Sequence, residues 1–111
     1  MIIICEPQCI GFEHSEFNAS LIYVTYKSFP DEKILFLGEK EHISCVQDLL
    51  KKYYYNICDY QEIQVPRRWD RESKRFPTEL KLVKKVFNQS KKLNCEKVIF
   101  SSITSSTLIS I

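Results

Sequence analysis

The amino-acid sequence predicts an α/β fold: a parallel sheet with helices on both faces. Three observations carry that prediction. Residues 1–4, 34–37 and 98–100 are continuously apolar, as strands covered on both sides must be. Apolar residues at helical spacing follow the first two runs and precede the third, so strand and helix alternate along the chain. Pro7, Pro30 and Gly38 punctuate the junctions.

The first strand runs from Ile2 to Cys5 or Glu6 and is closed by Pro7, which has no N–H to give a ladder. The first helix starts at His14 or Ser15, with Ser15 the candidate N-cap and Glu16 suited to the dipole of the first turn. Its apolar face is read as Phe17, Leu21 and Val24, widened by Ile22, Tyr26 and Phe29, and Pro30 ends it. The second strand is 33–38. The second helix carries Ile43, Val46, Leu50 and Tyr53, with Leu49 and Tyr54 beside them. A short third strand, 62–65, alternates as an edge strand does.

The segment 66–77 is bounded by prolines, rich in arginine and longer than the usual strand-to-helix loop of about 2 to 6 residues. The third helix is expected from Thr78, through Leu80, Val83, Val86, Phe87 and Leu93; Lys81, Lys84, Lys85, Lys91 and Lys92 read as its solvated face. The fourth strand is 97–100. Residues 104–111 read as a helix start that breaks off, so residues 1–111 are expected to be one domain of a longer protein, truncated after the fourth strand. Right-handed crossovers then give strand order 3-2-1-4 in a Rossmann-like three-layer α/β/α arrangement.

Composition narrows the function. Only two glycines are present, too few for a dinucleotide fingerprint or a Walker phosphate loop. A net charge of +2 gives no general attraction for nucleic acid, and no nucleic-acid partner is expected. The five cysteines form no CxxC pair and suit a reducing, cytoplasmic compartment. Cys5, Cys9 and His14 match no common zinc spacing, so neither a metal nor a cofactor is expected.

Order 3-2-1-4 puts the switch point between strands one and four, where open α/β sheets bind ligands. The loop from Gln8 to His14 and the loop from Ser101 to Ser105 would flank it. His14 is the side chain best suited to acid or base work, or it caps the helix. Glu13 and Glu16 either orient it or are ordinary first-turn acids, the second reading being the stronger for Glu16. Asn18 either turns to the crevice or hydrogen-bonds locally. Gly11 supplies a positive φ, a close approach for a ligand, or both. Ser101, Ser102 and Ser105 offer either an anion nest or plain helix caps. Arg67, Arg68, Arg71, Lys74 and Arg75 around Trp69 suit a phosphate or sugar acid, an anionic lipid head group or a stacked base, or form a surface loop that binds nothing.

The run Cys5-Glu6-Pro7, Cys9, Gly11, Glu13-His14 and Phe17-Asn18, with the helix and strand pattern behind it, resembles the N-terminal domain of bacterial GT-B glycosyltransferases of the family 4 type. The resemblance implies two Rossmann-like domains facing a cleft, the N-terminal one holding the acceptor and a C-terminal one the nucleotide-sugar donor. It implies that Gly11 lines the cleft, that His14 points into it and that residues 67–75 lie toward a glycan or glycolipid acceptor. A cytoplasmic enzyme of polysaccharide biosynthesis, with peripheral contact at the inner membrane surface, is the corresponding expectation. The alternative is a non-catalytic Rossmann-like module that binds a nucleotide or phosphate at the serine turn.

Overall fold

The computed structural model describes residues 1–52, 56–65, 72–95 and 97–102. Its elements are β1 (Ile2–Cys5), α1 (Ser15–Ser28), β2 (Ile34–Gly38), α2 (Lys40–Lys51), β3 (Asp59–Glu62), α3 (Glu72–Lys92) and β4 (Lys97–Phe100). The four strands form one parallel sheet in the order β3-β2-β1-β4, the Rossmann-like arrangement that the alternation predicts.

The continuous apolar runs have a simple cause. Side chains alternate across a strand, and both faces of this sheet are covered. Ile2, Ile4, Ile34 and Phe36 face one core with Ala19 and Ile22 of α1 and Ile43, Val46 and Leu50 of α2. Ile3, Cys5, Leu35 and Leu37 face the other, with Leu82 and Val86 of α3. All of β1 and β2 is therefore buried, and only apolar side chains fill both faces.

Three expectations need correction. β3 is Asp59–Glu62, not 62–65. Its register against β2 runs from Leu35↔Asp59 to Gly38↔Glu62, and β2 then turns into α2, so Ile63 N–H to the Gly38 carbonyl at 2.9 Å is the last bond on that side. Ile63 and Val65 are buried without being ladder residues, which is why they imitate a strand. α3 starts at Glu72, six residues before Thr78, and carries Pro77 inside it. Proline accepts helical φ and forfeits one bond, to the carbonyl four residues back, at about 3 kcal/mol. Burial of Leu82, Val83 and Val86 along the same helix offsets that cost. The long arginine-rich segment is thus helical in its second half, and 66–71 lies outside the described residues.

The third correction concerns the rotation of α1. Its buried residues are Ser15, Asn18, Ala19, Ile22 and Thr25, whereas Phe17 and Val24 are more than half exposed. Apolar residues surround this helix, so hydrophobicity alone does not choose a face. The polar contacts of Asn18 do, as the next subsection describes.

Candidate functional site

The site lies at the carboxyl edge of the sheet, where β1 and β4 end side by side and their chains part. Two backbone bonds finish the ladder there: Ser101 N–H donates to the Cys5 carbonyl and Glu6 N–H to the Leu37 carbonyl, each at 2.9 Å. Glu6 is therefore delivered between the ends of β1, β2 and β4, and it is 1% exposed.

A buried carboxylate must be surrounded by donors. Oε1 of Glu6 accepts from Asn18 Nδ2 and from the Ser101 hydroxyl, each at 3.0 Å. Oε2 accepts from the backbone N–H of Gln8 at 3.1 Å and of Cys9 at 3.3 Å, and from the Ser102 hydroxyl. Burial pushes the Glu6 carboxyl up, but the bonds from Ser102, Asn18, Gln8 and Ser101 outweigh it and hold the group below the usual carboxylate range. Glu6 is thus a fixed anion that joins the loop after β1, the loop after β4 and α1. It is an acceptor, not a proton donor.

Asn18 passes the network on. The same Nδ2 that donates to Glu6 lies 2.8 Å from Nε2 of His42, which is fully buried in the first turn of α2. Nδ1 of His42 lies 2.9 Å from the Gly11 carbonyl. A carbonyl only accepts, so the proton sits on Nδ1; Nε2 then takes the second Asn18 hydrogen. The imidazole is neutral in a fixed tautomer. Both Asn18 hydrogens are placed, and its Oδ1 is a buried acceptor with no partner among the described residues. Phe36 flanks the ring of His42, 5.9 Å between centroids.

Glu39 holds the other side of Gly11. As N-cap of α2 its carboxylate accepts from His42 N–H at 2.9 Å and Glu41 N–H at 3.0 Å, and from Gly11 N–H at 3.1 Å. Partial burial raises its carboxyl, but the three backbone N–H bonds outweigh it and hold the group below the usual carboxylate range. Both backbone groups of Gly11 are therefore clasped by the start of α2. Gly11 has φ +62°, the left-handed value that glycine adopts freely, so the turn role of this residue holds.

Beyond Gly11 the loop faces solvent. Phe12 is 81% exposed and His14 is exposed. His14 is the N-cap residue of α1, itself left-handed at φ 52°, and its side chain makes no capping bond. Ser15 is the first helical residue, as the sequence suggests, but its hydroxyl donates to the Phe12 carbonyl at 2.8 Å instead of capping. Glu13 is half-buried next to it.

Gly11, Glu13, His14, Asn18 and Ser102 are thus brought to one edge. Asn18 and Ser102 bond inward to Glu6, whereas His14 projects from the rim. Arg67, Arg68, Trp69, Arg71 and Ser105 lie outside the described residues. The chain matches no known protein family, no curated protein and no solved structure.

That geometry divides the two histidines of the chain by role. His42 has both ring nitrogens engaged in the interior, whereas His14 is exposed on the rim and makes no capping bond. It also weakens the phosphate-nest reading of the serine turn. The Gln8 and Cys9 N–H groups and the Ser101 and Ser102 hydroxyls already surround a carboxylate, and a phosphate brought there would meet negative charge. Among the described residues no three His, Cys, Asp or Glu side chains are grouped to hold a metal ion, and no helix is long and apolar enough to cross a membrane.

Reading the sequence assigns no separate role to Glu6, Glu39 or His42. Two signals were there to use. Glu6 is a charge placed at the end of a fully apolar strand, and His42 shares a helix face with Val46 beside Ile43. Buried polar residues in such positions need partners.

Proposed function

We propose that this domain is the acceptor-side half of a glycosyltransferase that moves a sugar from a nucleotide-sugar donor to a cell-surface polysaccharide or glycolipid acceptor. The observation that carries the reading is the position of residues 5–18: the run on which the family resemblance rests forms the rim of the switch point between β1 and β4. Open parallel sheets bind their ligands at that place.

Glycosyl transfer requires an acceptor hydroxyl to be held in line with the anomeric carbon and its proton to be accepted or hydrogen-bonded as the bond forms. His14 is a titratable side chain exposed on the rim, flanked by Glu13 and Glu16, and in this reading it takes this role. Gly11, clasped by Glu39 and His42, fixes the loop from which His14 projects. Glu6 and Asn18 lock that loop to the sheet and to α1. The rim is therefore preorganised before substrate arrives, which is what an enzyme's positioning surface requires. Arg67, Arg68, Trp69 and Arg71 follow β3 in sequence and are assigned to the acceptor side in this reading. The leaving nucleoside diphosphate is assigned to a second domain.

The test is to assay the full product of the reading frame that encodes this chain for nucleoside diphosphate release from a panel of nucleotide sugars. Release from one donor, stimulated by a glycan or glycolipid acceptor, is expected. No release from any donor of the panel refutes the proposal.

A further inference from the structure

The row of α1 that reads from the sequence as its core face is turned away from the core. At 100° per residue Phe17, Leu21, Val24 and Ser28 lie within an arc of about 60°, centred about 125° from the buried residues Ser15, Asn18, Ala19, Ile22 and Thr25. Phe17 and Val24 are more than half exposed, and half-buried Leu21 packs against the core beneath them. Phe12 and Phe29 are exposed just beyond the two ends of the helix. An apolar row of this kind marks a contact surface. Its steps of four, three and four residues are those of one side of a two-helix seam.

The charges beside the row say what covers it. Glu16 and Lys27 are both exposed and stand on the same flank of the row, about 20° apart and at opposite ends of the helix. Lys27 Nζ lies 5.8 Å from the centre of the Tyr23 ring, and among the described residues no ion pair engages either charge. A second α1 laid antiparallel along the row brings Glu16 beside the partner's Lys27 and, by symmetry, Lys27 beside the partner's Glu16. The same arrangement sets Leu21 against the partner's Val24 and the Phe12 end of one helix against the Phe29 end of the other. A parallel pairing would oppose like charges at both ends. The row is therefore self-complementary about a two-fold axis, which is what an isologous dimer requires.

We propose that two copies of this chain associate through α1, the helices antiparallel, with Phe17, Leu21 and Val24 forming the apolar seam and Glu16 and Lys27 pairing across it. An anionic surface fits less well, because the flank carries an acid as well as a base. From Phe17 to Ser28 the seam is about 17 Å long, so the interface is at the small end of specific contacts and the dimer is weak. The contact requires nothing of the catalytic reading.

The experiment is sedimentation velocity of the full chain at low salt, over a range from about 10 μM to about 1 mM. A monomer–dimer equilibrium is expected within that range. Phe17→Ser and Val24→Ser should each raise the dissociation constant about ten-fold or more. Both positions are exposed, so urea unfolding of the variants should match wild type and separate a lost contact from a lost fold. Glu16→Lys and Lys27→Glu should each weaken the dimer several-fold, less so as salt is raised, and the double variant should return to within about two-fold of wild type. A monomer throughout the range would overturn the proposal and leave the row to a different partner. So would a dimer indifferent to Phe17→Ser and Val24→Ser, single charge variants that associate as wild type does, or a double variant no tighter than the singles.

Discussion

Replacing Glu6 by glutamine keeps the shape of the side chain and turns one acceptor oxygen into an NH2 donor. Two placements are open to it. With the NH2 at the Oε2 position, it faces the backbone N–H groups of Gln8 and Cys9, neither of which can turn away. At the Oε1 position it faces the Asn18 amide and the Ser101 hydroxyl, and a hydroxyl can rotate to accept. The second placement leaves one donor unpartnered, a cost of about 1–3 kcal/mol. Asn18 cannot repair this by flipping, because its oxygen would then face Nε2 of His42, which carries no proton in the tautomer fixed by Gly11.

Glu6→Ala removes both oxygens and strands the N–H groups of Gln8, Cys9 and Asn18 together. On the same scale that is about 3–9 kcal/mol, against the roughly 5–15 kcal/mol that holds a domain folded. Urea unfolding at neutral pH should therefore rank the proteins wild type, Glu6→Gln, Glu6→Ala, with the second interval larger than the first. The pH dependence has a definite sign. Because the folded-state pKa of Glu6 is lowered, its stabilisation is present above the unfolded value, near 4.3, and is lost as pH falls through the lower folded one. The gap between wild type and Glu6→Gln should close in acid. A glutamine variant as stable as wild type, or as unstable as the alanine variant, would refute the donor accounting. So would a gap that widens as pH falls.

Other outcomes follow from the same contacts. Gly11→Ala meets no atom nearer than Glu41 Oε2 at 3.9 Å, so only its left-handed φ resists, and thermal unfolding should register a loss of roughly 1–2 kcal/mol. Gly38→Ala puts a Cβ 2.9 Å from Phe36 and 3.3 Å from Ile43, an overpacking worth about 1–3 kcal/mol that should also shift the NMR signals of His42. Nitrogen NMR at neutral pH should find the His42 imidazole neutral with its proton on Nδ1; a proton on Nε2 would contradict the Gly11 contact. Glu39→Ala removes the cap of α2 and one clasp on Gly11, and should cost about 1–2 kcal/mol with faster hydrogen exchange at the Gly11 amide.

The parallel sheet was legible because its cause is local. Ile2, Ile3, Ile4 and Cys5 alternate between two cores, and a strand buried on both faces has to be apolar throughout. The strand order followed from crossover handedness, which needs no side-chain detail. The beginning of α3 was not legible, because a proline inside a helix costs less than the burial of Leu82, Val83 and Val86 returns, and the local rule sees only the proline. The face of α1 was hidden for a related reason. Phe17 and Val24 are as apolar as Ile22, and the choice between them is made by Asn18 reaching Glu6 and His42 from two other elements. The loop from Gly11 to the helix start was expected beside the ends of the first and fourth strands, and it lies there. The residues that hold it, Glu6, Glu39 and His42, lie far apart in sequence or look like ordinary strand-end and helix residues.

The most direct test of the proposed site is the turnover of the His14→Ala variant. His14 is exposed and makes no capping bond, so the variant should fold as wild type does. In the full product of the reading frame, with the active donor saturating and the acceptor present, transfer should fall by roughly 10²- to 10⁴-fold, the usual contribution of a positioned acid or base. Turnover equal to wild type would remove His14 from the chemistry and with it the assignment of the reaction to this rim.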